Sequence, residues 1–158
     1  TAFTDLLPAG FEQDGSSNDL IFDPTDPAYD SLAEGEELVL TINYVIRDEN
    51  DAEVPQTLTV TVTGTNDAPV VAAALTAAAN EDDAAITLNL LDGASDVDNG
   101  SILSVDLGDT VLPAGVTFDG TILSVDPADV AFQSLAEGEE LVLTINYDIV
   151  DDQGASVP

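Results

Sequence analysis

Residues 31–44 read SLAEGEELVLTINY, and residues 134–147 read SLAEGEELVLTINY again, identical at an offset of 103. A run of identities this long marks a tandem repeat, which predicts similar modules in series. The match continues forward, where Asp48-Glu49-Asn50 through Val54-Pro55 aligns with Asp151-Asp152-Gln153 through Val157-Pro158. It continues backward as well. Leu7-Pro8-Ala9-Gly10 matches Leu112-Pro113-Ala114-Gly115 at an offset of 105, so one copy carries a two-residue insertion between Gly15 and Asp23. The period is therefore about 103 residues, and the 158 residues hold parts of two copies.

Outward from the quoted stretch, the periodicity is that of strands. Thr57-Leu58-Thr59-Val60-Thr61-Val62-Thr63 alternates hydroxyl and aliphatic residues at period two, the pattern of a half-buried strand. Residues 38–46, 141–149, 86–91 and 102–105 read the same way. Asp119-Gly120 between short apolar runs signals a hairpin turn. The single helical candidate is a short turn over residues 126–135, with Asp126 as N-cap and Pro127 in the first position. Short strands with turn signals between them predict an all-β fold of tandem immunoglobulin-like or cadherin-like sandwiches. In the second copy strands A to F are expected at about 69–75, 85–91, 101–106, 115–118, 121–125 and 140–149, with G missing. The first copy supplies a G strand at 56–64 and is expected to lack A, B and C. A boundary is expected within Gly64-Thr65-Asn66-Asp67-Ala68-Pro69. Residues 1–68 are then the D–G part of one repeat, and 69–158 are the next repeat without its last strand.

Composition narrows the chemistry. Lys+Arg is 1 against Asp+Glu 32, for a formal net charge of −31. No basic patch for nucleic acid or an anionic membrane surface can be assembled from Arg47 alone. With no His, Cys or Lys, the chain has no Ser-His-Asp triad, thiol nucleophile, Schiff base or zinc site of ordinary ligation. The remaining ligands are carboxylates, amide carbonyls and hydroxyls, which suit hard cations such as Ca²⁺. Yet 44% of the residues are hydrophobic, and acids alternate with Val/Ile/Leu-rich runs, so the chain can bury a core. No apolar run is long enough to span a bilayer. Acids scattered over repeated loops, with no Trp, do not resemble a sugar-cleaving cleft, and the expectation is of no enzyme activity.

Three segments carry a family resemblance: TVTVTGTNDAPVV across the boundary, NEDDAAITLNLLDGASDVDNGSILSV after it, and LAEGEELVLTINYDIVDDQGA near the end. Together they resemble the VCBS/cadherin-like repeats of large bacterial surface adhesins exported by type I secretion. The resemblance covers essentially the whole chain. It implies tandem sandwiches with Ca²⁺ bound at and near the linkers, a role in reach and rigidity, and an extracellular, cell-surface, biofilm-associated location. The glycine-rich calcium-binding nonapeptides that accompany such repeats elsewhere are absent from this stretch.

The expected loop positions point the same way. In a seven-strand sandwich the BC and FG loops lie at the entry end, which in the second copy places Asp96, Asp98, Asp151 and Asp152 toward the linker residues Asn66 and Asp67. The exit end of the first copy brings Asp23, Glu34 and Glu36. Carboxylates crowded together in low dielectric cannot stay uncompensated, and Ca²⁺ takes six to eight oxygens at about 2.3–2.6 Å. Glu81 in the AB loop is a further candidate ligand. Against each of these stands a plain alternative, a solvated turn, because Asp, Asn and Gly favour turns for backbone reasons alone. For Tyr29/Phe132 and Tyr44/Tyr147, which occupy matching repeat positions, core packing is the expectation. The threonine row from Thr57 to Thr65 reads as an ordinary outer strand face ahead of an ice- or water-ordering array.

The expected function is that of a Ca²⁺-rigidified extender segment of a secreted adhesin or extracellular filament. The alternative is an adhesive module for carbohydrate, another cell's surface or ice on the same sandwich. A halophile's acidic surface would account for the charge without a specific ion. Neighbouring repeats of the same protein are the expected partners. Strand exchange with another copy is the rival to simple interruption of a longer array.

Overall fold

The computed structural model describes every residue except Thr1, Thr4, Asp5 and Asn18. All regular structure among them is strand. The chain forms two compact units, one of Thr1–Asp67 with Val97–Gly100 and one of Ala68–Asp96 with Ser101–Pro158.

In the first unit, β1 (Ala2–Phe3), β4 (Glu37–Arg47) and β5 (Glu53–Thr63) form a sheet in the order β1-β4-β5, and β2 (Phe11–Gln13) pairs with β3 (Leu20–Phe22). The β4–β5 ladder is the longest in the chain, running antiparallel from Glu37↔Thr63 to Arg47↔Glu53. Its alternation sorts the two faces. Ile42 is 1% exposed and Val62 is 8%, while Thr57, Thr59, Thr61 and Thr63 all face outward. Tyr29, Leu32 and Val62 form the core with Phe22 and Leu40 against them, and Phe22 lies 4.6 Å from Phe11 between ring centroids. The inserted pair of residues lengthens the β2–β3 loop, which Asp14 N–H closes on the Asp19 carbonyl at 2.9 Å.

One short strand lies ahead of the D–G set expected from the sequence. β1 pairs with β4 through Ala2↔Val45 and Phe3↔Tyr44. In the second unit β9 (Ser104–Asp106) pairs with β12 (Asp148–Val150), likewise antiparallel. Two residues with little periodicity left no signal of β1.

In the second unit, β7 (Ile86–Asn89), β10 (Val116–Phe118) and β11 (Ile122–Val125) make one sheet, ordered β10-β11-β7. β12 lies between β9 and β13 (Ser156–Val157), and β6 (Val70–Val71) pairs with β8 (Ala94–Ser95). Leu90, Val116 and Leu123 form the core, with Val105, Leu143, Ile145 and Tyr147 packed on it. The Asp119-Gly120 turn closes β10 on β11 as its sequence predicts: Asp119 Oδ1 accepts from the N–H groups of Thr121 at 3.1 Å and Ile122 at 2.8 Å.

Two further expectations are corrected. Residues 126–135 form successive turns and no helix: Asp129, Phe132 and Leu135 N–H groups each donate to the carbonyl three residues back. Asp126 and Asp129 spend their carboxylates on the N–H two residues ahead, which favours isolated turns over a continuing helix. The F strand expected over 140–149 exists only as Asp148–Val150. Residues 141–147 carry no strand, although the identical residues 38–44 lie inside β4.

The turn network does recur. Asp23 N–H donates to the Gly10 carbonyl at 2.7 Å, as Asp126 N–H does to Gly115 at 2.8 Å. Ala33 N–H donates to Glu36 Oε2 at 3.1 Å, as Ala136 N–H does to Glu139 Oε2 at 2.9 Å.

Candidate functional site

Most aspartates in the turns act on their own backbone. Asp14, Asp23, Asp48, Asp106 and Asp126 each accept from the N–H two residues ahead, the Asx-turn geometry. Asp23, a candidate ligand, belongs to this group. Its Oδ1 accepts from the Thr25 hydroxyl at 2.7 Å and the Thr25 N–H at 2.9 Å. Those two bonds, the hydroxyl's first, hold its carboxyl below the ordinary carboxylate range. Asp14 is lowered to about 2, chiefly by the Ser16 N–H and then by the Ser16 and Ser17 hydroxyls. Sequence reasoning counted such acids as candidate ligands or as bare charge. The S/T at i+2 in Asp14-x-Ser16 and Asp23-x-Thr25 was the signal that they are caps.

The remaining candidates divide by unit. In the first, Asp98 is 8% exposed and its Oδ2 accepts from the Asp67 N–H at 2.9 Å. Next to it, Asn99 N–H donates to the Ser31 carbonyl at 3.0 Å and Asn99 Nδ2 to Glu36 Oε2 at 3.2 Å. Val97–Gly100 is thereby stitched to the 31–36 turn and to the segment ending in Asp67. That turn is also pinned by Gly64, whose N–H donates to the Glu36 carbonyl at 2.8 Å and whose carbonyl accepts from Gly35 at 3.1 Å. A Cβ on Gly64 would overlap the carbonyl oxygens of Leu32 and Ala33, so the approach requires glycine. Asp98 thus meets the Asp67 backbone, while the Glu36 carboxylate is held by Asn99. Asn66 is half-buried beside Asp67, and Glu34 is exposed.

In the second unit, Asp151 is 5% exposed and its Oδ1 accepts from three backbone N–H groups, of Gln153, Gly154 and Ala155, at 2.9, 2.6 and 2.9 Å. Its repeat counterpart Asp48 makes the same kind of turn and is exposed. Asp152 Oδ1 accepts from the Ile102 N–H at 3.0 Å, bridging two loops. Asp96 is half-buried. Glu81 is half-buried, with Oε2 shut off from solvent and making no hydrogen bond, and its carbonyl accepts from Gln133 Nε2 at 2.9 Å.

The electrostatics of these buried acids are set by what the chain lacks. Its single basic side chain, Arg47, pairs with Glu53, and backbone N–H groups donate to both Asp98 and Asp151. Those N–H groups offset part of the carboxylate charge. The donors suit a hard cation in kind, being oxygen throughout. Among the described residues, however, no three acidic side chains are gathered into a group that could hold a metal ion. Nor does any helix among them have the length and apolarity to cross a membrane. Comparison with protein families, curated proteins and solved structures found no match.

Proposed function

We propose that the chain is an extender segment of tandem immunoglobulin-like sandwiches in an extracellular adhesin or filament, stiffened by Ca²⁺, and that it has no catalytic role. The observation that carries this reading is Asp98, a carboxylate buried in a chain of net charge −31. A divalent cation on Asp98 would relieve that charge. Val97–Gly100 belongs to the second repeat by sequence and to the first unit by packing. Repetition supports a spacer over a binding head, because length gains from copies of one module.

Extracellular modules bind Ca²⁺ with a Kd of roughly 10⁻⁴–10⁻³ M. Binding to the folded state alone stabilises it by about 2.7 kcal/mol at one hundred times Kd. Thermal unfolding followed with and without chelator at constant ionic strength tests the reading. Millimolar Ca²⁺ raises the melting temperature, Asp98→Asn removes most of the rise, and matched NaCl does much less. Full replacement of Ca²⁺ by NaCl assigns the acidity to salt adaptation.

A further inference from the structure

We propose that Asn99-Gly100 is a self-modification site, where Asn99 loses its side-chain nitrogen and becomes an acid that frees Val97–Gly100 from the 31–36 turn. Of the chain's asparagines, only Asn99 is followed by glycine; the others precede Asp, Glu, Leu or Tyr. The reaction needs the next main-chain nitrogen to reach the asparagine Cγ, and a side chain on that next residue hinders the approach. Gly100 has none. It sits in a turn at φ +77°, with nothing within 4 Å of where a Cβ would be, a left-handed backbone that glycine adopts without steric cost. Asn99 and Gly100 are both exposed, so water reaches the reacting atoms.

The steps need water and neither an oxidant nor a reductant. Gly100 N attacks Asn99 Cγ and forms an N–Cγ bond. The Cγ–Nδ2 bond breaks, and Nδ2 leaves as ammonia, carrying the proton that Gly100 N gives up. Water then opens the cyclic imide at either carbonyl, supplying the hydroxyl of the new acid and returning a proton to Gly100 N. Breaking N–Cγ gives aspartate at position 99. Breaking the bond from Gly100 N to the main-chain carbonyl carbon of Asn99 gives the isoaspartyl form, with an extra methylene in the main chain. Because nucleophile and electrophile are neighbours in one chain, the first step is unimolecular, which is the source of its speed.

The first unit gives this chemistry its effect. Asn99 Nδ2 donates to Glu36 Oε2 at 3.2 Å, and Asn99 N–H donates to the Ser31 carbonyl at 3.0 Å. Glu36 Oε2 also accepts from the Ala33 N–H at 3.1 Å, so its own turn keeps the carboxylate facing position 99. Deamidation removes the donor from this contact and puts a second carboxylate there. A charge-assisted hydrogen bond becomes the close approach of two like charges. The isoaspartyl form also lengthens the backbone that carries the bond to Ser31. Ammonia is lost to solvent, so the change runs one way and accumulates with the age of the protein.

Two measurements on the 158-residue chain test this, both in chelator so that the Ca²⁺ reading does not enter. On incubation at mildly alkaline pH, peptide mapping by mass spectrometry should show amide-to-acid conversion at Asn99 at least about tenfold faster than at Asn50 and Asn80. Those two are also exposed but precede Asp51 and Glu81. In Asn99→Asp, protection of the main-chain N–H at position 99 from hydrogen exchange should fall at least about tenfold. Adding Glu36→Gln swaps amide and carboxylate across the contact and should restore the protection. Conversion at Asn99 no faster than at Asn50 and Asn80 overturns the proposal. So does unchanged protection in Asn99→Asp, or a loss that Glu36→Gln does not reverse.

Discussion

At Gly64 and in the aspartate turns, single atoms decide local structure. Gly64 has no room for a Cβ, because the Leu32 and Ala33 carbonyls occupy the place it would take. Gly64→Ala should therefore destabilise the first unit by about 1–3 kcal/mol, as overpacking does. Gly15→Ala, where nothing lies within 4 Å, should stay within about 0.5 kcal/mol of wild type. Denaturant melts of both variants check this. Asp14, Asp23 and Asp119 have folded-state pKa values below the ordinary one; for Asp119 the lowering comes first from the Ile122 N–H and then from the Thr121 N–H. A lowered folded-state value means that the stabilisation is present above the unfolded pKa of about 3.9. It is lost as pH falls through the folded values, down to about 2 for Asp14. Asp119→Ala should accordingly melt below wild type at pH 7, and the gap should close on acidification from about pH 4. A gap that persists unchanged at low pH would show that the carboxylate charge is not what caps the turn.

Among elements, the contrast between β4 and residues 141–147 shows what a ladder adds to a favourable pattern. LVLTINY alternates well in both places, and its aliphatic residues reach a core in both. Only β4 has a strand on the side where β5 lies. In the second unit Thr110 Oγ1 holds the Asn146 carbonyl at 3.0 Å, a side-chain bond in place of main-chain pairing. Amides in 38–44 should be protected from exchange by at least about a hundredfold relative to the same residues in 141–147. Equal protection would mean that the segment is paired in solution. The 126–135 turns teach a related point. Asp126-Pro127 resembles a helix start by residue type, but Asp129 repeats the cap three residues later and breaks the run into turns. The second aspartate was visible in the sequence; its effect on the backbone was not.

For the whole molecule, charge and repetition set the behaviour. At −31, self-repulsion lowers the stability of any compact state, and surface repulsion is screened beyond about 10 Å at 0.1 M salt. On the extender reading, Ca²⁺ should narrow the distribution of maximum dimension in small-angle scattering more than an equal ionic strength of NaCl does, and Asp98→Asn should reverse the narrowing. Identical distributions in Ca²⁺ and chelator would sink the stiffening mechanism and leave the all-β fold untouched. The repeat, the strand periodicity, the oxygen-only ligand chemistry and the Asp119-Gly120 hairpin were legible from residues alone, because each rests on local order or on composition. Tertiary structure decided the rest. It made turn caps of Asp23, Glu36 and Asp151, buried Asp98 and Asp151, and packed Val97–Gly100 with the first unit. It also gave one copy of SLAEGEELVLTINY a ladder that its twin lacks, because a β-strand is completed by hydrogen bonds to a partner that its own sequence does not contain.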